Sequence, residues 1–267
     1  IDFKNKEFHP VRFFNGTFYG IGNSLKNISC NEWKYWDGTQ YISIGTTVNG
    51  FGVFCKTENA TIADVIINNY NYANMPQVSF DASRASGVGA LIGFSNTADN
   101  ILNCHTLGTI EMGSQFNIKC SAASGMVGFR PSNGTNTVLL IYRCSSKVNV
   151  NAIATGTIMT GGFIGELYRN VTAHIYDCVA NVENTTASKA YIHSSSAVGW
   201  EEQGSTLIIE NFIASINIAS NQLNYSGSLA GIMSTAIFTN IYVDGQIGTE
   251  NKLPYPIVGG SKKLSSG

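Results

Sequence analysis

The residues best suited to acid–base chemistry are two adjacent glutamates, Glu201 and Glu202, in the segment WEEQG. Enzymatic hydrolysis of a glycosidic bond uses two carboxyl groups about 5–10 Å apart. Neighbouring residues of a strand point to opposite faces, so a strand would separate this pair. In a loop, both side chains would be solvated. We therefore expect no catalytic residues and predict that the chain is not an enzyme.

Histidines and cysteines are the other candidates, as metal ligands or as parts of a nucleophilic site. Zinc sites show close pairs such as Cys-x-x-Cys, and this sequence has none. The four histidines are dispersed, and no Ser-His-Asp arrangement is visible. The sequence therefore predicts no metal site and no cofactor.

The charge pattern excludes two classes of partner. Charged residues make up 12% of the 267 residues, and the formal net charge is −1. Nucleic-acid binding relies on clustered lysine and arginine, so we expect no nucleic-acid partner. No apolar stretch reaches the roughly 20 residues that span a membrane. The chain begins at Ile1 rather than methionine, which we interpret as a processed or trimmed form.

A glycine that closes a short apolar stretch recurs along the chain and indicates internal repeats. The clearest copies are GALIGF, SGMVGF, GGFIGE, SSAVGW and GSLAGI. Their closing glycines are spaced by 35, 37, 34 and 32 residues: Gly93, Gly128, Gly165, Gly199 and Gly231. Two earlier copies place Gly20 and Cys55 in the same position. Seven units therefore cover most of the chain.

Each unit also contains an apolar strand pattern that ends in cysteine or a substitute. Four cysteines take this position: Cys30, Cys104, Cys144 and Cys178. The substitutes are Asn69, Phe212 and Val243. Gly, Asn, Ser and Thr fill the connecting turns, and no helical period is present. Each unit is therefore predicted to form two or three short strands.

Strand units of this size bury their apolar faces only by packing against one another. We predict an all-β fold, a parallel β-solenoid (β-helix) of about seven coils of 32–38 residues. The alternative is a seven-bladed β-propeller, although propeller blades usually have four strands and about 40–45 residues. In the solenoid, the repeated glycine lies at a corner where a Cβ would block close stacking.

The repeats divide the chain into three parts. Residues 1–15 form an N-terminal arm or cap, residues 16–250 form the repeat domain, and residues 251–267 form a C-terminal edge segment and tail. Open solenoid ends present unpaired backbone groups, so they need a cap or a partner. We expect self-association, head to tail or by N-terminal strand addition.

The repeat pattern resembles a known family. Its order, small-x-apolar-apolar-Gly, then a polar loop, then apolar-x-Asn/Asp-Cys, resembles the GLUG-type repeats of secreted and surface adhesin-like proteins. The resemblance covers residues 16–248 and departs from the pattern at Cys55, Asn69, Phe212 and Val243. It implies an extracellular, usually non-catalytic β-solenoid and supplies no catalytic residues.

The recurrent cysteines have two interpretations. They form either a ladder of small core residues or disulfides between neighbouring coils. The chain has six cysteines, which allow 15 pairings, so no pairing is assigned.

Asn-x-Ser/Thr sequons are candidate glycosylation sites in a secreted protein. There are seven: Asn15, Asn27, Asn59, Asn133, Asn170, Asn184 and Asn224. Three of them, Asn59, Asn133 and Asn170, follow the glycine position by four or five residues, which predicts one exposed edge. We expect several sites to carry glycans; the alternative is unmodified polar turns.

These observations favour a secreted, extracellular, N-glycosylated protein with a structural or adhesive role, self-assembling into a surface fibre or layer. One alternative is a carbohydrate-binding adhesin module in which Trp33, Tyr35 and Trp36 stack on sugars. We favour a cap role for that segment. The other alternative is a polysaccharide-active β-helix enzyme that depends on Glu201.

Overall fold

The computed structural model describes residues 1–4, 6, 8–29, 34–36, 39–43, 50–72, 86–112, 120–131, 137–154, 156–188, 192–220, 225–248 and 258–261. These residues form 26 β-strands, numbered here along the chain, and no helix. The all-β prediction is confirmed. Apart from one hairpin, the strands lie in three sheets in which every pair is parallel.

Sheet I contains one strand from each successive repeat. Its order is β1 (Val11–Phe14), β7 (Phe54–Thr57), β11 (Ile92–Ser95), β15 (Val127–Arg130), β19 (Ile164–Leu167), β22 (Val198–Glu201), β24 (Ala230–Met233) and β26 (Val258–Ser261).

Sheet II lies just before sheet I in each repeat. Its order is β6 (Gly50–Phe51), β10 (Ser86–Gly89), β14 (Cys120–Ser124), β18 (Thr157–Gly161) and β21 (Ile192–Ser194).

Sheet III follows sheet I in each repeat. A bend divides it into two halves. One half contains β2 (Thr17–Tyr19), β8 (Thr61–Ala63), β12 (Asn100–Leu102) and β16 (Val138–Tyr142). The other half contains β3 (Ser24–Lys26), β9 (Ile66–Tyr72), β13 (His105–Met112) and β17 (Ser145–Ala154). Three long strands run through both halves: β20 (Thr172–Ser188), β23 (Thr206–Ser220) and β25 (Ala236–Ile247).

The pairing between repeats is parallel throughout these sheets, whereas propeller blades are antiparallel sheets. The propeller alternative is therefore wrong for the described strands. In the part of the chain that the structure describes, antiparallel pairing occurs only between β4 (Lys34–Trp36) and β5 (Tyr41–Ser43), within the segment expected to act as a cap. Among the described residues, β4 lies against β1, the first strand of sheet I.

The strand register confirms most of the predicted glycine positions. Ile92 pairs with Val127 and with Phe54, so Gly93 lies between Gly128 and Cys55, as expected. The first repeat differs: Val11 pairs with Phe54, so Arg12 faces Cys55. Gly20 instead follows β2, where its N–H donates to the Ala63 carbonyl. The prediction for Gly20 is therefore wrong.

The repeated glycines lie where sheet I meets sheet II with no space between their backbones. A Cβ on Gly199 would lie 2.6 Å from both the Gly165 oxygen and the Thr160 nitrogen. A Cβ on Gly165 would lie 2.6 Å from the Gly128 oxygen and 2.8 Å from the Ala123 nitrogen. Side chains are excluded here because backbone atoms cannot move aside independently.

The bend of sheet III explains the Asn/Asp of the repeat motif. The same position adopts a left-handed backbone in six successive repeats: Asp64, Asn103, Arg143, Asp177, Asn211 and Asn240. Asn and Asp tolerate this conformation better than other residues with side chains. Their side chains also join the repeats, since the Asn211 amide donates to Asp177 at 2.8 Å and the Asn240 amide to Asn211 at 2.9 Å.

The hydrophobic core fills this bend. The turns joining sheets II and I carry buried apolar residues, such as Phe163, whose ring lies 5.9 Å from that of Phe212 just beyond the bend. The sheets also contact through polar groups: the Tyr72 hydroxyl donates to the Ala90 carbonyl at 3.0 Å, and the Thr106 hydroxyl to that of Gly125 at 2.7 Å. Buried residues of all repeats form one continuous cluster.

The N-terminal segment packs on its own chain. β1 pairs with β7, Asp2 forms a parallel bridge with Lys26, and the Phe3 N–H donates to the Lys26 carbonyl at 2.9 Å. Asp2, Phe3 and β1 therefore pair with strands of this chain, and strand addition to a neighbouring subunit stays a prediction.

The glycine contact yields a stability prediction. Gly199→Ala should lower the free energy of unfolding by about 3 kcal/mol or more, because the added methyl group overlaps two backbone atoms. Asn217→Ala, on the exposed face of β23, should change it by less than about 0.5 kcal/mol. Urea unfolding followed by circular dichroism measures both. If both variants had the same free energy of unfolding, the close contact between the backbones of sheets I and II would not contribute to stability.

Candidate functional site

The glutamate pair is buried, so the expectation of solvated loop residues is wrong. Glu201 is 0% exposed, and its carboxylate accepts the N–H groups of Ser234 and Thr235, each at 3.2 Å. Glu202 is 8% exposed and accepts a hydrogen bond from Arg169 Nε at 2.8 Å. Each carboxylate joins its own repeat to a neighbouring one, Glu201 to the next and Glu202 to the previous.

A third buried carboxyl group, Glu166, was missed by the sequence reasoning. It is 3% exposed, lies between Phe129 and Trp200 in sheet I, and has one carboxyl oxygen with no hydrogen-bond partner among the described residues. Burial and the nearby charge of Glu202 raise its pKa to about 8. The signal was visible: the residue after the repeat glycine is aromatic in GALIGF, SGMVGF and SSAVGW but glutamate in GGFIGE.

A similar buried polar connection lies near the first strands of sheet I, at Asp99. Its carboxylate accepts the hydroxyls of Thr57 and Ser95 at 2.5 and 2.6 Å and the Ala60 N–H at 2.7 Å. Three donors satisfy this fully buried group, and two of them come from the previous repeat.

Arg130 is the largest fully buried side chain among the described residues. It donates to the Ser95 carbonyl at 2.8 Å and to the Thr137 hydroxyl, and burial lowers its pKa to about 10. Asp99 opposes that shift electrostatically. The buried charges at the junction of sheets I and III thus connect successive repeats, which is a structural role.

The buried glutamates predict a pH dependence. Burial raises the pKa of Glu166 and of Glu201 from 4.5 to about 8, in Glu201 against the effect of its two N–H donors. The folded protein therefore holds protons that the unfolded chain releases, so stability should fall as pH rises from about 5 to 8. Each group contributes at most about 1.4 kcal/mol per pH unit.

Urea unfolding between pH 5 and 8 tests this dependence. Glu166→Gln should reduce the slope because it removes one of the two titrating groups. Glu183→Gln, which changes an exposed carboxylate of β20, is the matched control and should leave the slope unchanged. A stability that rises across this range would contradict the assignment.

Three of the recurrent cysteines form a ladder of free, buried thiols. The Cys104 N–H donates to the Cys144 sulfur at 3.3 Å, and the Cys144 N–H to the Cys178 sulfur at 3.4 Å. Of the two interpretations, the structure contains the core ladder. The hydrogen bond with Cys144 and burial raise the pKa of Cys104, and burial raises that of Cys144 to about 12.

The register corrects other members of this row. Phe212 pairs with Cys178, as predicted, but also with Ile241, which therefore replaces Val243. His105, which follows Cys104, pairs with Ile66, which follows Val65. Val65 therefore takes the cysteine position that was predicted for Asn69. In the first repeat, Asn23 takes the cysteine position. Its carbonyl accepts the Ile66 N–H, as the Cys104 carbonyl accepts the Ser145 N–H. Cys30 itself lies outside the described residues.

Thiol protection tests this arrangement. The native protein should leave Cys104, Cys144 and Cys178 unmodified by iodoacetamide at pH 8, because the thiolate is the reactive form and burial disfavours it. After unfolding in guanidinium without reductant, all three should react, as alkylation mapped by mass spectrometry would show. Failure to react after unfolding would indicate disulfides instead of thiols.

The sequons differ in exposure. Asn15, Asn59 and Asn170 are exposed, whereas the half-buried Asn27 amide donates to the Asp2 carboxylate at 2.8 Å. Two further sequons, Asn133 and Asn224, lie outside the described residues.

Asn184 is 1% exposed, and its amide donates to the hydroxyls of Thr160 at 2.6 Å and Ser194 at 2.8 Å. A glycan on that nitrogen is incompatible with the fold. We therefore remove Asn184 from the candidate glycosylation sites.

The remaining candidates stay apart. Trp33 and the side chains of Tyr35 and Trp36 lie outside the described residues, so no contact bears on sugar stacking. The histidines have separate partners, since His105 contacts the Ser145 hydroxyl and His174 the Tyr176 hydroxyl, each at 2.8 Å. Within the described ranges, no three potential metal-ligating side chains come together, and no helix is long and apolar enough to cross a membrane.

Exposed apolar side chains are concentrated at the two ends of the sheets. Six lie in the first strands or the segments beside them: Ile1, Val11, Phe13, Phe18, Tyr19 and Ile21. Four lie on or beside the last strands: Ile213, Tyr225, Ile237 and Tyr242. Among the described residues, Leu107, Val138 and Val179 are the comparable large exposed hydrophobics between these groups. The ends are therefore the surfaces best suited to association.

Comparisons of the chain with protein-family models, with curated proteins and with solved structures find no match. Function is therefore inferred from the residues of this chain.

Proposed function

We propose that the chain is a secreted, N-glycosylated parallel β-solenoid of the GLUG-repeat type and a structural or adhesive subunit that self-assembles end to end outside the cell. The observation that carries the proposal is the concentration of exposed apolar side chains at the two ends of the sheets. Patches of this kind mark association surfaces in proteins.

The repeat geometry supports the solenoid. Each repeat adds one strand to sheet I and extends sheet III, always parallel to the strand before it. Identical positions stack in rows, as Gly128 does on Gly165 and Cys144 on Cys178. Such rows are expected where each unit contacts only its neighbours.

The use of charge supports a structural role. Asp99, Glu201 and Glu202 each bond groups of an adjacent repeat, and each is at least nine-tenths buried. Carboxyl groups held in this way are not presented to a large substrate such as a polysaccharide. Their role in holding repeats together is sufficient to explain their burial.

Glycan attachment gives a test in which two sequons serve as a matched pair. Protein secreted from eukaryotic cells should lose mass on treatment with peptide N-glycosidase. Asn59→Gln should remove one glycan because Asn59 is exposed, and Asn184→Gln should remove none because Asn184 is buried. Mass spectrometry of the intact variants measures both.

Two results would count against the proposal. A secreted wild-type protein without glycans would contradict the glycoprotein assignment. Electron micrographs showing only single particles at high protein concentration would contradict the structural-subunit assignment.

A further inference from the structure

We infer that one copy adds to the next by continuing sheet III in register, with residues 237–239 of β25 pairing in parallel with β2 (Thr17–Tyr19) of a second copy. The inference rests on the proposed self-association. It specifies which strands form the contact, which end of one copy meets which end of the next, and which charges lie on the two surfaces. Both strands belong to the same sheet, one at its start and one at its end.

The register of sheet III supplies the first argument. Position by position, Phe18 begins an inward-facing row that Phe238 ends: Phe18, Ile62, Ile101, Ile141, Ile175, Ile209 and Phe238. The inner members are buried, with Ile62 1% and Ile209 0% exposed, whereas Phe18 is 38% exposed. In-register addition would place Phe18 beside Phe238 and extend the row across the junction.

The polarity of the strands supplies the second argument. Among the described strands, β2 pairs only with β8 and β25 only with β23, so each has one further edge. Every interior strand of a parallel sheet pairs with the preceding strand through one edge and with the following strand through the other. The first and last strands therefore each leave one of these two edges open, and the two open edges are complementary. A head-to-tail contact thus repeats the pairing that already joins the repeats, whereas contact between two like ends does not.

The distribution of charge supplies the third argument. Residues 1–29 contain Lys4, Lys6, Arg12 and Lys26 against Asp2 and Glu7. Residues 203–248, which include the last two strands of sheet III, contain the carboxylates of Glu210 and Asp244 and no lysine or arginine. Opposite net charge favours the approach of unlike ends and opposes that of like ends. The tail lysines, Lys252, Lys262 and Lys263, lie outside the described residues.

The exposed side chains at the junction supply the substitutions for a test. Tyr19 is 62% exposed and would lie next to Thr239 of the neighbouring copy, while Ile237 is 53% exposed and would lie next to Thr17. Tyr19→Asp blocks one end by placing a negative charge against the acidic end. Ile237→Lys blocks the other by placing a positive charge against the basic end.

The experiment compares wild type, each variant and their equimolar mixture by sedimentation velocity over a range of concentrations and salt. Wild type should associate, and less strongly at high salt. Each variant alone should associate at least about tenfold more weakly, since the loss of 1.4 kcal/mol per contact has that effect. The mixture should associate again, because each variant retains one intact end.

Leu107→Lys is the matched control, since Leu107 is 41% exposed and lies in the middle of sheet III. It should leave association unchanged, and circular dichroism should show all variants folded. If either end variant alone associates as wild type does, or if the mixture stays monomeric, the inferred junction is wrong. Filaments formed equally by wild type and both end variants would leave the proposed function standing and overturn this junction. A strictly monomeric wild type would overturn both.

Discussion

The backbone of sheet I lies directly against that of sheet II, and this contact leaves no room for a Cβ. Glycine therefore recurs at one position of sheet I from Gly93 to Gly231, whereas Arg12 and Cys55 take that position in the two preceding strands. The close approach aligns each repeat with the one before it. The rows of sheet III, the thiol ladder and the side-chain bonds at the bend all depend on that alignment, because each row needs equivalent atoms at the same level in successive repeats.

Buried charged groups also connect neighbouring repeats. A buried charge is costly unless it is paired or hydrogen-bonded. Asp99 and Glu201 meet this requirement with donors from adjacent repeats, so the repeats cannot separate without exposing unsatisfied groups. Glu166 and Glu201 also avoid a buried charge by holding a proton below about pH 8, since burial raises the pKa of each to about 8. The interior polar groups thus favour one specific alignment of the repeats.

The sequence predicted the glycine position wherever spacing was regular, and it failed where the first repeat departs from that spacing. Four residues separate Tyr19 from Ser24, yet their partners Ala63 and Ile66 are separated by only two. Arg12 takes the position predicted for Gly20, because 43 residues separate it from Cys55, more than the 32–38 residues between later repeats. Likewise Val65, not Asn69, takes the cysteine position. Spacing along the chain cannot reveal register where the turns differ in length, because hydrogen bonds between strands decide it.

The amino acids alone were sufficient to predict the repeat, the all-β class and the small residue required at its closest contact, since these depend on pattern and local conformation. The environment of Glu166, Asn184 and Glu201 was decided only in three dimensions. Each of these side chains looks like an ordinary polar residue of a turn or strand. Each is surrounded by residues from neighbouring repeats, and burial by such distant neighbours has no signal in local composition. The opposite character of the two ends likewise arises only when the repeats are stacked in order.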